Sequence, residues 1–275
     1  ASAMLVAQSF EDPRIVPAAY AFGATGGHCD STYFPPSMND RNIYNADNPE
    51  EARKSVREVR KYGAQVIKIC ATGGVFSRNT ESGQQQMTYD EMKAVVDEAK
   101  MWGIKVAAHA HGASGIREAI RAGVGTIEHA SLLDDEGIRL AKQYGAWLSM
   151  DIYNTDYTQS EGKKNGVLED NLRKDRELAD IQRENFRRAH QAGVKMVFGT
   201  DAGIFPHGEN AKQFATMVRY GMTPTQAIQS ATINAAEALG RSDLGVIETG
   251  RVADLVAVRG NPVQDVTLLE NVAFV

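Results

Sequence analysis

The chain has 275 residues, a formal net charge of −5 and 43% hydrophobic residues. That much apolar chain can bury one large core or two small ones, which excludes disorder as the main state. It has no Lys/Arg-rich tract and no apolar run near the roughly 18 residues that span a bilayer, so neither nucleic acid nor membrane is an expected partner.

The chain opens ASAMLVAQSF, which lacks the basic start of a signal peptide. A first strand is expected over residues 14–22. Asn48, Pro49 and two glutamates then begin a helix over 49–61, closed by Gly63. A strand over 65–70 follows. TYDE at 88–91 is a capping box that opens a helix ending at Gly103. The pattern continues with strand 105–110, helix 113–122, strand 125–129, helix 134–144 and strand 146–152. A long polar helix is expected over 168–192, a strand over 195–199, and helices over 210–220 and 223–239. Strands over 253–258 and 271–275 end the chain. The charged stretch after Tyr153 reads as a solvated helix face, with a lid or a subunit contact as alternatives.

Near-continuous apolar strands alternating with helices predict an α/β fold with a parallel sheet. Six strand–helix units are visible, where a (β/α)8 TIM-type barrel needs eight and a doubly wound sheet tolerates six. No GxGxxG or GxxxxGK[ST] loop is present. Residues 1–245 are expected to form the main body, and 246–275 to supply strands of a small β-domain. Two cysteines, Cys29 and Cys70, imply no disulfide framework. A reducing, cytoplasmic compartment is therefore expected, with Cys70 a small core residue.

Ionisable groups recur where the strands end: Lys68 in VIKIC, His109 and His111 in VAAHAHG, His129 closing TIEHA, and Asp201 in GTDAG. A lysine inside an apolar strand is costly unless paired or neutralised. Lys, His, His and Asp together suit a metal such as Zn²⁺. Taken singly, Lys68 could pair with Glu128 or Asp201, His109 could be a core histidine, and Asp201 could cap a turn.

This set resembles the amidohydrolase superfamily, the subtype with two metals bridged by a carboxylated lysine. It is most similar to the imidazolonepropionase-like Xaa-Pro dipeptidases and related metallocarboxypeptidases. The resemblance runs from about Arg14 to Val275. It rests on the lysine strand, the His109–His129 spacing across IREAIRAGVGTIEHA, the GTDAG strand end, and TINAAEALGRSDLGVIETGRVADLVAV. It implies a metal-dependent hydrolase that cleaves the amide bond of a dipeptide or N-acyl amino acid. Carboxylated Lys68 would bridge two zinc ions, His109 and His129 would hold the second, and Asp201 the first. A metal-bound hydroxide would attack the carbonyl, with Asp201 as proton shuttle. The substrate would be a small molecule with a free carboxylate. By location alone, His28, Arg78, His111, Tyr153 and His207 are candidates to line its pocket; Arg78, the Tyr153 hydroxyl or a histidine would meet the carboxylate, and His111 either orients the site or touches substrate. A homo-oligomer is also implied.

The family's first strand carries a His-x-His pair, and no such pair precedes Lys68. This departure, with the two missing units, predicts an absent N-terminal segment. It keeps open a non-catalytic or complementation-dependent fragment. The same metal core could also act on a lactone, carbamate, organophosphate or mycotoxin amide.

Overall fold

The computed structural model describes residues 14–30, 35–38 and 44–275. The opening ten residues, read above as no signal peptide, lie outside the described residues. The chain divides into two compact units, residues 1–127 and 128–275, with the boundary inside strand β3.

In the first unit, α1 (Pro49–Lys61) starts where the sequence places it, because the Asn48 side chain accepts from the Glu50 and Glu51 amides at 3.1 and 3.0 Å. Strand β1 (Val66–Cys70) leads to α2 (Tyr89–Met101), whose capping box is closed at both ends: Thr88 N–H donates to Glu91, and Glu91 N–H to Thr88 Oγ1. Then come β2 (Lys105–Ala110), α3 (Ala113–Ala122) and the start of β3 (Thr126–His129). β1 and β2 pair in parallel, with Lys68 beside Ala107 and Cys70 beside His109. Helix α1 packs on α2, and α2 on α3. Ile67, Ile69, Met92, Ile116 and Ile120 fill the core.

The expected first strand is shorter than the apolar run suggested. Residues 14–22 form a single parallel bridge, Phe22 with Ile69, although Pro17 O also accepts from the Gln65 amide. Pro17, inside the run, has no N–H to donate to a ladder, which disfavours regular pairing there. The cysteine reading also needs correction: Cys29 and Cys70 form a disulfide, with their Cα atoms 5.8 Å apart. A count of two excludes a framework of bridges but not one bridge, and the turn after Phe22 brings Cys29 back to the end of β1.

In the second unit, α4 (Asp135–Tyr144) precedes β4 (Trp147–Ser149), and β4 pairs in parallel with β5 (Met196–Val197). Between them lie α5 (Asn154–Glu161), which the sequence did not announce, and the long α6 (Glu169–Gln191). α6 is not merely a solvated face: Asn171, Asp175, Gln182, Arg183 and Asn185 are buried along with Leu172, Leu178 and Phe186. After β5 come α7 (Lys212–Arg219), α8 (Pro224–Ala231) and α9 (Ile233–Leu239). The single helix expected over 223–239 is thus two, broken at Thr232, whose φ and ψ are −121° and −97°. Finally β6 (Ala257–Val258) and β7 (Val272–Phe274) pair antiparallel. Among the described residues no helix is long and apolar enough to cross a membrane.

Candidate metal centre

Side chains alternate along a strand, and register partners in a parallel pair share a face. Lys68, Cys70, Ala107 and His109 therefore present to one face of the β1–β2 pair. Lys68 is half-buried there and His109 buried. His109 Nε2 lies 3.1 Å from Gly73 O, and the His111 amide donates to Thr72 Oγ1 at 2.9 Å. The His28 ring stacks on His109 with centroids 4.2 Å apart, and His111 meets His109 edge-on at 4.7 Å. The His28 ring fills the space beside Gly74: a Cβ there would lie 2.3 Å from it, so only glycine fits. The first unit thus gathers His28, His109 and His111, with Lys68 on the His109 face. Arg78 is exposed in the loop beyond β1.

The second unit places His129 at the end of β3 and Asp201 four residues after β5. With Asp151, just past β4, they form a set in which each residue offers one donor atom within 4.8 Å of the others. One imidazole and two carboxylates are a mixed nitrogen and oxygen set that fits a zinc-like divalent ion. The backbone there is unusual. His129, Ala130 and Asp201 have φ of 69°, 48° and 52°, a left-handed conformation that non-glycine residues rarely adopt. Such strain persists where surrounding structure fixes it, commonly at functional sites. At Gly199 in GTDAG a Cβ would stand 2.1 Å from Ser149 Oγ, so glycine lets this segment approach the end of β4 closely.

Around this set, His129 Nδ1 lies 2.9 Å from Asp151 Oδ1. Helix α6 contributes Gln182, whose Nε2 donates to the His129 carbonyl at 3.1 Å and to Asp151 Oδ1 at 3.2 Å. Its neighbours Arg183 and Asn185 donate to Ile152 O and Ser131 O. Sequence reasoning missed Asp151, Asn154 and Gln182. Asp151 carried a signal nonetheless, since it follows its strand as Asp201 does.

A cavity of about 440 Å³ is lined by Tyr153, two residues past Asp151, and by Asp156, Tyr157, Pro206, Glu209 and Lys212, among others. Gln213 holds the Tyr153 amide at 2.8 Å. The Tyr153 hydroxyl donates to Glu209 at 3.2 Å, and Lys212 Nζ donates to the same carboxylate at 2.7 Å. Burial pushes the Tyr153 phenol up, the Glu209 partner raises Lys212, and Lys212 lowers Glu209. His207 is exposed at the start of a 3₁₀ turn and lines no part of this cavity.

The amidohydrolase family model matches residues 5–275. The chain belongs to the amidohydrolase family. Ochratoxinase from Aspergillus niger is 34% identical over 289 residues, covering 96% of this chain and 59% of that protein. The chain thus spans about three-fifths of the length of this curated relative. A crystal structure of a Xaa-Pro dipeptidase with methionine bound in the active site superimposes with a TM-score of 0.90. It is 38% identical and covers 97% of this chain and 67% of its own. A prolidase complexed with N-methylphosphonate-L-proline gives 0.86 at 33% identity, covering 95% and 66%. The class of this amidohydrolase chain is α/β of the TIM-barrel type, with a small antiparallel pair at its C-terminus.

Proposed function

We propose that this amidohydrolase chain belongs to a metal-dependent hydrolase that cleaves the amide bond of a dipeptide or N-acyl amino acid. The observation that carries the reading is that His129 and Asp201 come within ligand reach of each other at strand ends, beside Asp151 and on a strained backbone. Family membership supports it, as do two structural relatives whose bound ligands are an amino acid and an analogue of proline.

Lys68, carboxylated, His109, His129 and Asp201 are the proposed ligands, for two zinc ions in the whole protein. When bound, the metal lowers the pKa of water and polarises a carbonyl. Asp201 takes the proton of the attacking water and returns it to the leaving amine. His129 presents Nε2, because Nδ1 faces Asp151. Tyr153 stays protonated and, with Lys212, offers donors to a substrate carboxylate in the cavity they line. His28 and His111 buttress His109. The main body over 1–245, the small β-domain strands over 246–275 and the homo-oligomer belong to the same proposal. The Cys29–Cys70 bridge favours an oxidising compartment over a reducing, cytoplasmic one. The ochratoxinase relative puts ochratoxin in the substrate panel.

The test is metal content per chain, followed by hydrolysis of Xaa-Pro dipeptides, N-acyl amino acids, ochratoxin and a lactone. Stoichiometric divalent metal that H129A and D201A both lose is the expected result. D201N should slow amide hydrolysis by about 10²–10⁴-fold. A chain that takes up no metal, or the same metal in both alanine variants, would overturn the assignment. Lactone turnover without amide turnover would move the substrate class.

A further inference from the structure

We propose that Asp151 is a positioning residue that fixes the tautomer and aim of His129, rather than a metal ligand itself. The proposal rests on the reading of His129 as a ligand, and goes beyond it.

Asp151 comes within ligand reach of His129 and Asp201, so distance alone would admit it to the metal set. Its oxygens, however, are already engaged. Oδ1 faces His129 Nδ1 at 2.9 Å and accepts from Gln182 Nε2 at 3.2 Å, while Oδ2 accepts from Asn154 Nδ2. The side chain is 5% exposed, against 13% for His129. A buried carboxylate so held is a fixed acceptor. Across from an imidazole it selects the tautomer protonated at Nδ1, which leaves the Nε2 lone pair for a metal. Gln182 makes the aim firmer, since the same amide group also holds the His129 carbonyl. Two donors on one nitrogen-bearing arm of α6 thus fix both the ring's partner and the strained peptide that carries the ring.

The experiment has two arms. In the metal-free chain, ¹⁵N chemical shifts of the histidine rings, with His129 assigned through H129Q, report which nitrogen carries the proton. Wild type is expected to hold it at Nδ1, and D151A to shift it towards Nε2. In the second arm, Zn²⁺ titration is expected to show D151A binding about 10–100-fold more weakly. D151N keeps the shape and one acceptor oxygen, and guards against a folding failure. It should retain the Nδ1 proton and lose less affinity than D151A. A wild-type His129 protonated at Nε2 would overturn the proposal. So would a D151A chain with unchanged tautomer and unchanged affinity alongside a wild type that binds zinc. If wild type binds no zinc, the metal reading fails, and the tautomer arm alone still decides the role of Asp151.

Discussion

Glu98 shows how one side chain ties two helices. Its carboxylate is 1% exposed on α2 and accepts from Arg57 of α1 at 2.7 and 2.9 Å, and from Trp102 Nε1 at 3.0 Å. The Arg57 hydrogen bond holds the carboxyl below its ordinary value. A lowered folded-state pKa means stabilisation that is present above the unfolded carboxylate range and is lost as pH falls through the folded value. E98Q is therefore expected to lose about 2 kcal/mol near neutral pH, the scale of a charge-assisted bond. The difference from wild type should shrink in acid. Urea unfolding at pH 7 and pH 3 checks this, and an equal gap at both would remove charge as the cause. Tyr153 makes a different argument. Raised by burial, it stays a hydroxyl donor beside Lys212. Y153F should lower kcat/KM about tenfold or more for substrates with a free carboxylate, and little for their amides. Equal losses on both would assign Tyr153 to the reacting carbonyl instead. Residues of this kind were legible unevenly. His129 and Asp201 stand out in the sequence because strand-end position and residue type agree, and the fold brings them within reach of each other. Gln182 did not, because an amide on a charged helix looks like any solvated polar residue until the fold turns it inward.

At the scale of elements, the local punctuation was the most readable part of the chain. The helix starts at Pro49 and Tyr89 follow from side chains that satisfy their own amides, which is chemistry confined to three or four residues. The elements that departed from expectation depend on distant partners. Thr232 breaks the helix between α8 and α9, two elements that both pack on β5. Helix α6 spends its buried face on polar contacts to the loops after β3 and β4, a pattern that hydrophobic periodicity does not register. The Cys29–Cys70 bridge is likewise a contact across 41 residues. It ties the turn that carries His28 to the end of β1. Closing a loop of that length restricts the unfolded chain by about 4 kcal/mol in the entropic account. C29S, or reduction by dithiothreitol, should lower the unfolding free energy by up to that amount. Loss of order should begin at the His28 turn, as faster amide exchange at Gly26 to Cys29. Unchanged stability on reduction would mean the bridge closes a loop already fixed by β1.

At the scale of the whole chain, class was readable because strand–helix alternation survives small errors at every boundary. Of six expected strand–helix units, five carry strands β1 to β5 and the other begins at the Phe22 bridge. What alternation cannot supply is the register of ligands, which depends on how far each strand runs before its loop begins. A metal makes that register thermodynamically visible. A ligand that binds the folded chain and not the unfolded one stabilises by mass action, about 2.7 kcal/mol when free metal is a hundredfold above its dissociation constant. For a chain of this size each kcal/mol moves the melting temperature by roughly 2–4 °C. Zn²⁺ is therefore expected to raise the melting temperature of the native chain by about 5–10 °C, and excess chelator to reverse it. H129A and D201A should show no rise, since each removes a donor from the set. E98Q, which removes no proposed ligand, should melt earlier yet keep the full metal-dependent increment. A rise that persists in H129A would mean the stabilising ion sits elsewhere, and scanning calorimetry of the four proteins with and without metal decides between the two.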